Sequence, residues 1–391
     1  MYFKKRLIVF ISSIIFLSGI LTAFPEEGAP QPFALYKEKL QALGPKDVDG
    51  HYNLALWCRD QGLMIEMRAR LRWAVRLKPE HKNARELLGD IKENGIWFSK
   101  ETAALEKKNG LIKYNEIWML DGTGRKLKYT ADKAELDKRK DWNEAWLLRT
   151  EHYVVRTNTD PDAAFKIGTT MESVYNTFFD IFDYDVMLNE PAEPLPVNIY
   201  KDQNDFTRAA VEILKGGNIA GDAFYFTGFG VNAYVGDTLY QNLYHEGCHQ
   251  LVDVCMGIEP LAPLTMWFYE GLGEYFEYSR EAADNRIKPG GASAELGSLK
   301  GFVNGDQHIP FDRFLSLNQN QYMMSDVAYP QGWGVVHFLM EYQKGRYRTK
   351  FLAYLNDCKT GAGMEKFLKA MEGVTLIQLE KEWKEYILNL R

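Results

Sequence analysis

His245 and His249 stand four residues apart with Glu246 beside the first, in a stretch whose apolar spacing predicts one long helix over 237–256, with Asp237 as its N-cap. At 3.6 residues per turn the two imidazoles share a face and can reach one ion, and Glu246 can touch a water held by that ion. A second predicted helix, 264–280, carries Glu270 and Glu274, again four apart on one face. These carboxylates lie among Trp267, Phe268, Leu272, Tyr275 and Phe276, where an unpaired charge is costly. A solvated helix face therefore fits Glu270 and Glu274 poorly, and a shared ligand with the histidine pair fits them better. A catalytic zinc takes three protein ligands and keeps one position for water. His245, His249 and Glu270 supply three ligands. Glu246 is the candidate base, and Glu274 is placed to accept the second ring N–H of a ligand histidine.

Around this centre the pattern is α+β. Strand-like stretches at 152–157, 195–200, 221–226 and 230–235 are interleaved with helical ones at 162–182 and 203–214, and the chain beyond 310 is mostly helical. The stretches 221–226 and 230–235 read as a hairpin turned at Thr227-Gly228-Phe229. The second of them precedes the histidine helix and is expected to offer an exposed edge to an extended peptide. Residues 33–93 show helix–Gly–helix–Pro spacing around Gly62 and Pro79, which resembles one tetratricopeptide unit. A lone unit is unstable, so it should pack on the C-terminal remainder of the chain, and its helices are a candidate surface for a protein partner. Residues 94–143 read as small turn and helix units, with Ile96-Trp97 echoed by Ile117-Trp118, ending in a Lys-, Asp- and Glu-rich linker over 121–143. That linker is taken as the boundary of a second domain, 145–391.

The N-terminus reads as an address. Lys4, Lys5 and Arg6 precede an uncharged stretch, 7–24, with Ala23 near a cleavage site, so residues 1–24 are expected to be a secretory signal or, if uncleaved, a membrane anchor. Either way the rest of the chain is exported, to a periplasmic or extracellular space. Removing the three basic residues takes the formal charge from −6 to −9. That balance argues against nucleic acid as a partner, which needs a strong basic patch.

His-Glu-x-x-His followed about 20 residues later by Trp-x-x-Glu-Gly-x-x-Glu-Tyr resembles the gluzincin metallopeptidases. The likeness implies a thermolysin-like domain with a small mixed sheet, zinc-site helices and a helical C-terminal part. It also implies one zinc per chain on His245, His249 and Glu270, with Glu246 as base. A closer likeness, over about residues 145–391, is to an uncharacterised family of secreted bacterial gluzincin-like proteins. It is carried by Thr150-Glu151-His152, by His245 to Gln250, by Glu270 to Phe276, and by Tyr329, Trp333, His337, Phe338 and Leu339. Gluzincins often supply an oxyanion donor from a Tyr or His on a later helix. Tyr329, expected at the N-cap of a helix with Pro330 in its first turn, is the candidate, with Tyr322 and His337 in reserve. Aminopeptidase gluzincins carry an acidic residue in a Gly-x-Met-x-Asn strand, and the comparable Gly228 to Asn232 lacks it, which favours an endopeptidase.

The remaining candidates read as structural. Cys248 belongs to the core, and Cys255, two turns on, is too far along the helix for a disulfide with it. The sequence does not pair Cys58 with Cys358. His308 reads as loop surface, His337 as a satisfied half-buried residue and His152 as a strand residue. The expected function is hydrolysis of peptides or proteins. The alternatives are an inactive binding scaffold of the same fold, or a zinc amide hydrolase acting on a non-peptide, cell-wall linkage.

Overall fold

A computed structural model describes residues 32–391 apart from 45, 94–95, 100–110, 115–116, 121–132, 192–193, 216–220, 259–264 and 284. The expected export segment, 1–24, and much of the expected linker, 121–143, lie outside the described residues. The chain is α+β. Its strands are β1 (Asp90–Glu93), β2 (Ile96–Ser99), β3 (Leu111–Tyr114), β4 (Ile117–Leu120), β5 (Trp146–Arg149), β6 (Tyr153–Thr157), β7 (Leu195–Tyr200), β8 (Ala223–Phe226), β9 (Gly230–Tyr234), β10 (Arg280–Ala282) and β11 (Arg286–Lys288). Seven of them form one mixed sheet in the order β3-β4-β5-β6-β7-β9-β8.

β3 to β6 run as an antiparallel meander, and β6, β7 and β9 are parallel. A parallel pair needs a crossover, and the helix Pro161–Val186 provides it between β6 and β7. Asp160 caps that helix by accepting from Ala163 N at 2.9 Å, with Pro161 in the first turn, where a missing N–H costs nothing. Ile167, Met171, Val174, Phe178 and Phe182 recur at helical spacing and are fully buried, so this helix is the spine of the main core.

Two expectations need correction here. The strand Gly230–Tyr234 has no free edge: β7 lies on one side and β8 on the other. Its residues Gly230 to Ala233 are all buried, as an interior strand requires, whereas those of β8 are not. The main sheet also continues across the expected domain boundary at 121–143, because β4 pairs with β5. The tryptophan echo marks two hairpins, β1–β2 and β3–β4, but only the second joins the main sheet.

The N-terminal helices Pro32–Gln41, Val48–Asp60, Met64–Leu77 and Lys82–Leu88 have a small core of their own around Leu54, Ala55, Leu71 and Ala74. They dock on the Pro161–Val186 helix. Tyr184 places its hydroxyl 2.7 and 2.6 Å from the carbonyls of Leu40 and Leu43. Asp183, buried on that helix, takes the guanidinium of Arg76 directly and that of Arg70 at 3.6 Å. Arg76 also reaches Glu190 at 3.0 Å. The four cysteines are free and buried, and among the described residues no helix is long and apolar enough to cross a membrane.

Asp183 is the carboxylate shared by both guanidinium groups, and Arg70 has no hydrogen-bond acceptor of its own among the described residues. Truncating one member of a buried ion cluster strands the others. Asp183→Ala should therefore lower the unfolding free energy by about 3–5 kcal/mol, read as a lower urea midpoint. An unchanged midpoint would show that the docking of the N-terminal helices does not depend on this charge.

Candidate metal centre

Two helices build the site. The first, Leu239–Cys255, carries His245, Glu246 and His249; the second, Met266–Glu277, carries Glu270, Glu274 and Glu277. The first begins two residues later than the pattern suggested. Thr238, not Asp237, stands at its N-cap and makes no side-chain cap bond. Its inner face is apolar, with Leu243, Cys248, Leu251, Val252 and Cys255 fully buried, so Cys248 points into the core. That packing turns the histidine face toward the second helix.

The second helix lies between two neighbours and approaches both through glycine. A Cβ on Gly271 would stand 2.6 Å from the carbonyl oxygen of Gly332 and 2.7 Å from Val336, on the helix Ala328–Glu341. On its other side, a Cβ on Gly273 would stand 2.8 Å from His245 Nε2 and 2.9 Å from His249 Cε1. The space in front of the two imidazoles exists because residue 273 has no side chain.

Glu270 Oε2 lies 3.6 Å from His245 Nε2 and 3.6 Å from His249 Nε2. The imidazoles meet edge to face with centroids 4.7 Å apart. His249, Glu270 and His245 thus bring three ligand atoms within 4.8 Å of one another, and this trio could hold a metal ion. Glu270 is held well below the ordinary carboxylate range: burial opposes ionisation but is outweighed by His249 and His245. His245 is held well above the ordinary imidazole range, because Glu270, Glu277 and Glu246 together outweigh its burial.

The group that orients His245 is not the expected one. Its Nδ1 lies 2.9 Å from Glu277 Oε2. Glu274 lies close to both and makes no hydrogen bond to the ring. Burial, reinforced by Glu277, Glu295 and Glu270 and offset by His245, pushes Glu274 up to about 8. Four carboxylates, at 246, 270, 274 and 277, crowd this site, and like charges so close cannot all ionise without a cation among them. Glu277 was legible as the seventh position after Glu270, on the same helical face. His249 is held differently, stacked on Tyr269 with centroids 4.1 Å apart and planes 10° apart. Its Nδ1 is buried without a hydrogen-bond partner among the described residues.

Tyr329 sits within the first turn of the helix Ala328–Glu341, with Val327 rather than Tyr329 at the N-cap. Its half-buried phenol is pushed up to about 12 by burial and, to a lesser degree, by the charges of Glu270, Glu274 and Glu246. Tyr322 packs against it, ring centroids 5.1 Å apart, with a buried hydroxyl that lacks a partner among the described residues. His337, the other reserve, is spent: its Nε2 meets Gly290 O at 3.1 Å and its Nδ1 the Tyr386 hydroxyl at 2.7 Å. His308 is not loop surface; it is buried, with Nε2 2.9 Å from Glu380. His152 lies apart from the trio, its Nδ1 2.7 Å from Glu172.

Residues 241–361 match a family model described as Protein of unknown function (DUF1570). The matched span takes in His245, Glu246, His249, Glu270, Glu277 and Tyr329, and that description assigns no chemistry to them. No curated protein matches the chain.

Orientation by Glu277 and the gap left by Gly273 both have measurable consequences. Glu277→Gln should weaken metal binding about 10–100-fold, and Glu274→Gln should weaken it less, in a competition titration against a chromogenic chelator. Gly273→Ala, which pushes a methyl group against His245, should weaken it more than either. Equal affinities for Glu277→Gln and the parent would remove Glu277 from its role.

Proposed function

We propose that the chain is an exported zinc-dependent peptidase of the gluzincin kind, acting as an endopeptidase on peptide or protein substrates. The observation that carries this reading is the convergence of His245 Nε2, His249 Nε2 and Glu270 Oε2 in front of Gly273. Two nitrogens and one oxygen suit zinc. Ligand atoms about 2.0–2.1 Å from one tetrahedral ion stand about 3.3 Å apart, close to the 3.6 Å separations found here. Export rests on the basic, then uncharged, residues 1–24.

Zinc, when bound, supplies the Lewis acidity that polarises a scissile carbonyl and lowers the pKa of water. The remaining work belongs to the chain. Glu246, next to His245 on the same helix, takes the proton of the attacking water and delivers it to the leaving amine nitrogen. Tyr329 keeps its proton at neutral pH and donates a hydrogen bond to the carbonyl oxygen as negative charge develops there. Glu277 and Tyr269 hold the two imidazoles in place.

Docking passes to β8. It pairs with β9 on one side only among the described residues. It is also tied to the first site helix: Tyr225 and Thr227 both donate to Asp253, at 2.6 and 2.9 Å. An extended peptide added to this edge gains main-chain hydrogen bonds with little dependence on its side chains.

Glu246→Gln should retain one zinc per chain by metal analysis and lose hydrolysis of a peptide library. Full activity in that variant would refute the base, and stoichiometric zinc without hydrolysis in the parent would favour an inactive scaffold. Tyr329→Phe should lower kcat by about 10²-fold with zinc content unchanged. A parental kcat would shift attention to the unpartnered hydroxyl of Tyr322.

A further inference from the structure

The Thr150-Glu151-His152 motif plays no part in the chemistry above, yet Glu151 and His152 line a cavity of about 240 Å³ between the N-terminal helices and the helix Pro161–Val186. Arg72, Arg76 and Arg85 line it from the N-terminal side, and His152, Glu151 and Glu190 from the other. A guanidinium carries five N–H donors, but among the described residues these three arginines together make six hydrogen bonds. Arg76 Nε is buried without an acceptor among the described residues.

The two carboxylates that line the cavity are already engaged. Glu151 is engaged by Arg85 at 3.2 Å, and Glu190 by Arg76 at 3.0 Å and by the Tyr175 hydroxyl. Glu172 holds His152 through both its backbone N–H, at 2.8 Å, and its Nδ1, at 2.7 Å, and Tyr175 stacks on the ring at 3.7 Å. The imidazole is thus fixed by its other groups, and its Nε2 makes no hydrogen bond among the described residues. Burial works against the charged imidazolium, but Glu172, Glu151 and Glu190 outweigh it and hold His152 above the ordinary imidazole range. The cavity is donor-rich, and it is smaller than the ~300–1,000 Å³ typical of drug-sized ligands.

We propose that this cavity binds a small oxyanion, the phosphate or carboxylate group of a compact ligand, through Arg72, Arg76, Arg85 and His152. Guanidinium forks match such groups, and the fixed imidazole adds one directed donor. Because its walls come from the N-terminal helices on one side and from the β5–β6 loop and the helix Pro161–Val186 on the other, the anion would bridge the two. The site shares no residue with the metal trio, so its test does not depend on hydrolysis.

The test is isothermal titration of the purified full chain with inorganic phosphate and, separately, with succinate, at an ionic strength held constant with chloride. One saturable site is expected for at least one anion. Affinity should fall about 10–100-fold in Arg72→Gln and in His152→Gln. Thermal scans without anion report whether each variant folds, and a variant that does not fold leaves the comparison to the other. Binding of phosphate alone would assign a phosphate ester, and binding of succinate a carboxylate ligand. Absence of saturable binding of both anions by the parent, or undiminished binding in the folded variants, would overturn the proposal.

Discussion

The close approach of the helix Met266–Glu277 to its two neighbours governs the rest of the site. Gly271 lets it press on the carbonyl of Gly332, and Gly273 leaves room for the imidazoles of His245 and His249. Interiors are close-packed, so a missing Cβ is either filled by a neighbour or reserved for a ligand. At 271 the neighbour fills it. At 273 the space lies among two imidazoles and a carboxylate, where apolar filling would strand charges. The same helix therefore supplies tight packing on one side and a polar gap on the other.

Buried charge recurs in the molecule with different consequences. Asp183, between Arg70 and Arg76, fastens the N-terminal helices to the core spine. The four carboxylates near His245 are crowded to the point that Glu274 is pushed up to about 8 by burial and its neighbours. The first cluster is balanced by guanidinium groups that never lose their charge. The second is short of permanent cations, which is the electrostatic condition a divalent ion relieves.

The cavity at His152 shares Arg76 with the first of these clusters. The Pro161–Val186 helix contributes Tyr175 to its wall and Asp183 to the docking of the N-terminal helices, while also packing against the first site helix. One rigid, apolar helix thus supports three polar features, because its buried residues recur on the faces that meet the sheet and the site helices.

Much of this was legible from local pattern. The spacing of His245, His249 and Glu270 places each on a helical face without tertiary information, and 195–200 reads as the strand it is because alternation is a property of the backbone. Burial of Cys248 follows from its angle on the helical wheel. What depends on the order in which elements meet in space was not available. β9 is interior and β8 is the edge because the chain inserts β9 beside β7, a choice of pairing that alternation cannot express. Glu277 rather than Glu274 meets His245, since the two stand only about 60° apart around the helix axis and the choice is set by packing against Gly332 and Val336. His337 and His308 were read as half-buried and exposed, but partners from the C-terminal helix, Tyr386 and Glu380, hold both in the interior. The amino-acid sequence by itself determined which groups can share a helical face; the tertiary structure decided which of them meet a partner, because partners are chosen by packing between segments far apart in the chain.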